Sequence, residues 1–153
     1  MPRGGSNGRI VLPAVTGFPR FKRLLVAAVM VALAGCGDAE PNPLADGIEV
    51  YGRVCAACHG DTGGGGIGPA LAEVVTDFPS CDDHIEWVTG GSDGWKATRG
   101  DTYGATGKPV QGGMPAFGAT LSVEEIVAVA AFERHRYGGQ DLETALEDCG
   151  VGE

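Results

Sequence analysis

The sequence predicts a small all-α domain of about four to five helices joined by long glycine-rich loops. Two observations carry that expectation. Leu44, Ile48, Tyr51 and Cys55 recur at helical spacing, and "SVEEIVAVAAFERHRYGG", residues 122–139, has a helix signature at both ends. A third is negative: no segment alternates apolar and polar residues with the period of two that a half-buried strand requires.

The first helix is expected to start at Asn42 as N-cap with Pro43 as its first residue, and to run to about Cys55. The glycines from Gly60 to Gly68 then stop regular structure. Pro69 can open a short helix over "PALAEVV". Ser80, with Asp83 three residues on, resembles a capping box for "CDDHIEWVT", which Gly90 and Gly91 would end. Residues 90–121 show no periodicity and read as one long irregular loop. In the last strong helix Ser122 caps, with Glu125 at the third position. Ile126, Val129, Ala130 and Tyr137 supply a core face, and Arg134 and Arg136 sit at the end where cations complement the dipole. The tail from Gly139 carries a weak helix around Leu142 to Leu146.

Of the 153 residues, the first 35 read as a leader and not as part of the fold. They contain no acid, and five bases (Arg3, Arg9, Arg20, Lys22 and Arg23) precede the eleven-residue apolar run Leu24 to Ala34, which is too short to span a bilayer. "LAGC", Leu33 to Cys36, resembles a bacterial lipobox, in which Cys36 receives a diacylglycerol and the chain is cut before it. The competing reading is ordinary cleavage after Ala32-Leu33-Ala34, which releases a soluble protein. Residues 36–43 then form a tether, 44–139 the domain and 140–153 a tail. All 20 acids but only six of the 11 bases lie beyond residue 35, leaving that part at −14. Nucleic acid is excluded as a partner on this charge; a basic protein surface is compatible with it.

"CAACHGDTGGGGIGPAL", residues 55–71, admits three chemistries. Structural zinc needs a second pair of ligands, and Cys81, Cys149, His84 and His135 stand alone. A thioredoxin-like switch needs its first cysteine at a helix N-terminus, whereas this pair closes a helix. Covalent haem fits: one helical turn aims the thiols of Cys55 and Cys58 at two vinyl groups, and His59 follows directly to reach the iron. "GGGGIG" satisfies a dinucleotide pattern but follows no strand, and "GATGKP" lacks the residues of a P-loop.

With these residues in place, the chain resembles a class I cytochrome c over about residues 44–139. The resemblance implies an all-α fold wrapped around one covalent haem c. Cys55 and Cys58 would form its thioethers, His59 would be the proximal ligand, and the Pro69 carbonyl would hold the other nitrogen of His59. Gly47 and Tyr51 would lie where the first helix meets the last, at Val129 and Phe132. Met114, in "GGMPAFG", matches the methionine loop and would be the distal ligand; Met1 and Met30 leave with the leader. His84 and His135 are rival ligands, each better read as a packed or surface histidine. If Cys36 takes lipid, Cys81 and Cys149 remain to form a disulfide, against the alternative of two buried thiols. Trp87, Trp95, Arg99, Tyr103 and Lys108 are candidates for lining the haem or bonding its propionates.

The implied function is electron transfer outside the cytoplasm, by a protein tethered through lipidated Cys36, between a quinol-oxidising complex or dehydrogenase and an acceptor such as an oxidase. It is a carrier and not an enzyme, with redox proteins as partners. Two alternatives stay open: a haem sensor or small haem enzyme with a labile distal ligand, and a fixed cytochrome subunit of a larger enzyme.

Overall fold

The computed structural model describes residues 41–152, within one compact unit, Pro41–Glu153. The expected leader, Cys36 and the start of the tether lie outside the described residues. The described chain is mostly helical, with five helices.

Helix α1 runs in three continuous parts: an α-helical turn Ala45–Val50, a π-helical stretch Tyr51–Cys55, and Ala56–His59. It begins later than expected, because the Asn42 side chain accepts from Leu44 N–H at 3.0 Å and forms a turn ahead of the helix. It ends later too, so that Cys55, Cys58 and His59 all lie on helical backbone, and Gly60 closes it. A single-turn π segment widens the helix where Tyr51 and Cys55 turn inward, both buried.

Helix α2 is short, Val74–Asp77, and the proline that was expected to open it lies in the preceding turns. Helix α3, Cys81–Arg99, differs most from expectation. Gly90 and Gly91 do not stop it. Gly91 takes φ 63°, kinks the helix, and the chain resumes a helical course to Arg99. Ser80 caps through Asp82 N–H at 3.1 Å, without Asp83. A minimal hairpin follows, β1 Thr102–Tyr103 paired antiparallel with β2 Lys108–Pro109, where no strand was expected. Two residues are too few to show a period of two, and tertiary contacts hold them: Trp95 Nε1 donates to the Thr102 carbonyl at 2.9 Å.

Helix α4, Val123–Arg136, starts with the complete reciprocal capping box of Ser122 and Glu125. Helix α5, Leu142–Cys149, is capped by Asp141 and is longer than the weak signal suggested.

The core forms where α1 crosses α4. A Cβ on Gly47 would fall 2.7 Å from Phe132 Cβ and strike the Ala128 carbonyl, so only glycine admits this approach. Tyr51 packs on Phe132 at 5.4 Å and on Tyr137 at 5.0 Å between ring centroids. Ile126, Val129 and Ala130 are buried as expected, and Tyr137 is half-buried.

Arg134 lies in the last turn of α4, as expected, but does not face solvent. It is completely buried, donating to the carbonyls of Phe78 (2.6 Å) and Pro79 (3.2 Å) and to Gln140 Oε1 (2.8 Å). Burial pulls its pKa below the ordinary guanidinium value. The side chain acts as a strut between α4, the loop before α3 and the α4–α5 connection, each of its three nitrogens donating to an acceptor.

A disulfide joins Cys81, first residue of α3, to Cys149, last of α5, with Cα atoms 5.2 Å apart and a sequence separation of 68. Closing so long a loop is worth about 4 kcal/mol in the chain-entropy model. Replacing both cysteines by serine should therefore lower unfolding stability by about 4 kcal/mol. Denaturant titration of the two holoproteins by far-ultraviolet circular dichroism measures the difference; an unchanged midpoint would contradict it.

Candidate functional site

One cleft gathers the chemistry-bearing residues. Cys55, Cys58 and His59 from the end of α1 line it together with Pro69, Trp87, Tyr103 and Met114. Glu133, which sequence reasoning did not single out, and His84, the rival ligand, line it as well.

His59 is held from behind. Its Nδ1 lies 2.8 Å from the Pro69 carbonyl, so that nitrogen carries the proton and donates, leaving Nε2 for the cleft. The glycine loop makes this possible by folding back on the end of α1. Gly65 N–H donates to the His59 carbonyl and Gly68 N–H to the Cys58 carbonyl, each at 2.9 Å, and Gly68 lies against the imidazole. Tyr51 closes the same turn from below, donating to the Gly60 carbonyl at 2.6 Å. Burial, reinforced by Tyr137, pushes the Tyr51 hydroxyl well above its ordinary range, so it stays a donor.

The two cysteines are unpaired, Cys55 buried and Cys58 half-buried. Burial, with the Glu133 carboxylate next, pushes the Cys55 thiol up to about 12. A reactive thiol switch depends on the opposite shift, so the pair is poorly suited to disulfide exchange.

Met114 is fixed at both ends. Its sulfur accepts from Trp87 Nε1 at 2.7 Å, which leaves a second lone pair. Its carbonyl accepts from Ser92 N–H at 3.0 Å and Ser92 Oγ at 3.3 Å. The kink in α3 explains the second anchor. In an unbroken helix Ser92 N–H would bond the Val88 carbonyl; here it turns to Met114, and the carbonyls of Val88 and Thr89 accept from Phe117 (3.1 Å) and Gly118 (3.0 Å). The helix interruption and the methionine loop thus satisfy each other.

The other candidates separate. Trp87 and Tyr103 line the cleft, within an aromatic cluster that includes Phe78 and Trp95. Trp95 packs behind them. Arg99 is held at the surface by Asp83 (3.1 Å) and Glu86 (2.6 Å). Lys108 is held by Glu73 and Asp77, which raise its pKa, and does not line the cleft. His135 Nδ1 meets the Gln140 carbonyl at 2.9 Å on the α4–α5 connection, and His135 is absent from the cleft wall.

Much of the wall suits a flat apolar group: Val54, Leu71, Val74, Phe78, Phe117 and the Trp87 ring are apolar, and His59 and Met114 bring an imidazole nitrogen and a thioether sulfur to the same cleft. The family model described as cytochrome C oxidase, cbb3-type, subunit III matches residues 42–132, more than half of the chain. The chain belongs to this family. It carries a c-type cytochrome domain, and its function is haem-based electron transfer. No curated protein matches the chain. Within this cytochrome the matched span contains α1 to most of α4, and so every residue named on the cleft wall but Glu133.

His84 is buried, as the packed reading of that histidine expects. Glu133 is the cleft residue that sequence reasoning missed. Glu133 sits four residues after Val129 and seven after Ile126, on the core stripe of α4, and that register was the signal available.

The Gly91 geometry gives a direct test. A Cβ there would lie 2.6 Å from Pro115 C and 2.7 Å from Ala116 N, at a φ that side chains rarely adopt. Gly91→Ala should push the methionine loop outward. Amide hydrogen exchange at Ser92, Phe117 and Gly118, whose N–H groups make the loop-to-kink bonds, should accelerate in the variant; unaltered exchange would refute the stitching of loop to kink.

Proposed function

We propose that this cytochrome is a single-haem electron carrier working outside the cytoplasm, tethered through lipidated Cys36. In this reading Cys55 and Cys58 hold the haem by thioethers, and His59 and Met114 are the axial ligands. The observation that carries it is the convergence of all four in one cleft, with His59 oriented by Pro69. When bound, the haem supplies a one-electron ferrous–ferric couple. The chain's own residues bind and orient it: Pro69 fixes the imidazole plane, Trp87 and Ser92 hold Met114, and the aromatic cluster excludes water from one wall. With both axial positions filled, no position is left for a substrate, which supports a carrier over a haem enzyme or gas sensor. Ile67, on the cleft lip and 90% exposed, supports partner docking at that edge. The acidic surface suits partners with basic patches, among them a quinol-oxidising complex or dehydrogenase as donor and a terminal oxidase as acceptor.

The family's description, a subunit of a cytochrome c oxidase, favours a second reading in which the domain is a fixed relay within a larger enzyme. Copurification with a stoichiometric partner distinguishes the two.

A haemochrome spectrum and intact mass should give one covalently attached haem per chain. The reduced protein should not bind carbon monoxide, whereas Met114→Ala should bind it readily. Ready binding by the natural sequence would instead favour the sensor. For the tether, Cys36→Ser should move the protein from the membrane fraction to the soluble one after export; retention in the membrane would remove the lipid anchor.

A further inference from the structure

Among the groups on the cleft wall, two have no task in holding a haem. His84 Nε2 and Glu133 Oε2 lie 3.1 Å apart, with side chains only 3% and 5% exposed. They join the middle of the domain, His84 from α3 and Glu133 from α4, and both line the cleft that contains His59 and Met114. The carboxylate also acts on the Cys55 side chain.

A buried carboxylate facing an apolar cofactor is costly unless its charge is matched. The match here is incomplete. His84 Nδ1 is buried and has no hydrogen-bond partner, and Phe78 stacks on the ring face at 5.4 Å. The imidazole therefore gains nothing from a proton on its far nitrogen, and the carboxylate has no cation bonded to it but this histidine among the described residues. The surrounding charges are committed elsewhere. Arg134, the next residue on α4, is spent on the carbonyls of Phe78 and Pro79. Asp83 beside His84 bonds Arg99, and Asp77 of α2 bonds Lys108. From α1, Tyr51 faces Glu133 but donates to the Gly60 carbonyl; Tyr137 donates to the Asp61 carbonyl, and Tyr103 stacks beyond Phe78. The pair is thus left as a site whose protonation answers to whatever charge enters the cleft.

We propose that the His84–Glu133 pair is the proton-linked site of the haem, so that reduction of the iron draws one proton into the pair and oxidation releases it. This rests on the haem occupying the cleft between His59 and Met114. In the oxidised state the pair holds one proton, on Nε2 and donated to the carboxylate, with net charge −1. An electron delivered by the redox partner lowers the charge on the iron by one. One proton from solvent then brings the pair to two protons and net charge zero. The sign follows from Coulomb attraction in a poorly screened interior: ferric iron favours the anionic pair, ferrous iron the neutral one. The carrier would transfer a proton with its electron over the pH range between the pair's oxidised-state and reduced-state titrations.

Redox titration of the holoprotein between about pH 5 and pH 8 reads this directly. The midpoint should fall as pH rises, by up to 59 mV for each tenfold drop in proton activity within the window. Glu133→Gln should flatten that window and raise the midpoint on its alkaline side. The double variant Glu133→Leu with His84→Leu, which exchanges the pair for apolar groups, should flatten it too and serves if the single variant folds poorly. Proton uptake on reduction of the natural protein, followed with a pH indicator, should approach one per haem inside the window. A flat natural profile overturns the proposal, and so does a slope that survives in the variants, which would belong to the haem propionates. Normal haem content by haemochrome in these samples separates such a failure from a failure of the haem reading itself.

Discussion

Helices α1 and α4 can meet at contact distance only because residue 47 carries no side chain, and the placement of the whole site depends on that approach. Closing this crossing sets Tyr51 against Phe132 and Tyr137, which turns the next turn of α1 inward. The π-helical stretch then delivers Cys55 to a buried position on the same helix that ends in His59. From the other helix the crossing fixes the stripe Ile126, Val129 and Glu133, so one contact decides both the haem-binding motif and the carboxylate opposite it.

The remainder of the cleft is built from loops that cannot stand alone. The glycine loop has almost no side chains to pack, and its order comes from bonds back to the carbonyls of Cys58 and His59. The methionine loop draws its order from the broken helix α3, where the carbonyls released at the kink become its acceptors. Both loops convert backbone polarity that would otherwise be unsatisfied into positions for Pro69 and Met114. The disulfide completes the frame by tying α5 to the start of α3, the helix from which His84 and Trp87 project.

The elements with strong local signals were legible in the sequence. The capping box at Ser122, the core face of α4 and the CxxCH turn depend on neighbours within one or two helical turns. The kink was not legible, because a Gly-Gly pair terminates most helices. What keeps α3 going past Gly91 is the Met114 carbonyl, 22 residues downstream of Ser92. The burial of Arg134 was hidden in the same way. Its place in the last turn of the helix was legible, but the carbonyls of Phe78 and Pro79 that draw it inward lie more than 50 residues earlier. Lys108 and Arg99 were plausible donors to a cofactor until the structure showed their acid partners already in place.

Arg134 and Glu133 are adjacent on one helix, both buried, and their difference shows how a domain this small divides its polar interior. The arginine has donors matched by three acceptors and so behaves as a fixed part of the frame, its charge indifferent to what fills the cleft. The glutamate has one basic partner, and that partner has an orphaned nitrogen. A leucine at residue 133 would continue the apolar stripe and pack a haem face at lower electrostatic cost. Retaining a carboxylate there makes the energy of the cleft depend on the charge of its occupant. An electron carrier is the kind of protein in which that dependence has a direction, since its cofactor changes charge by one unit with every turnover.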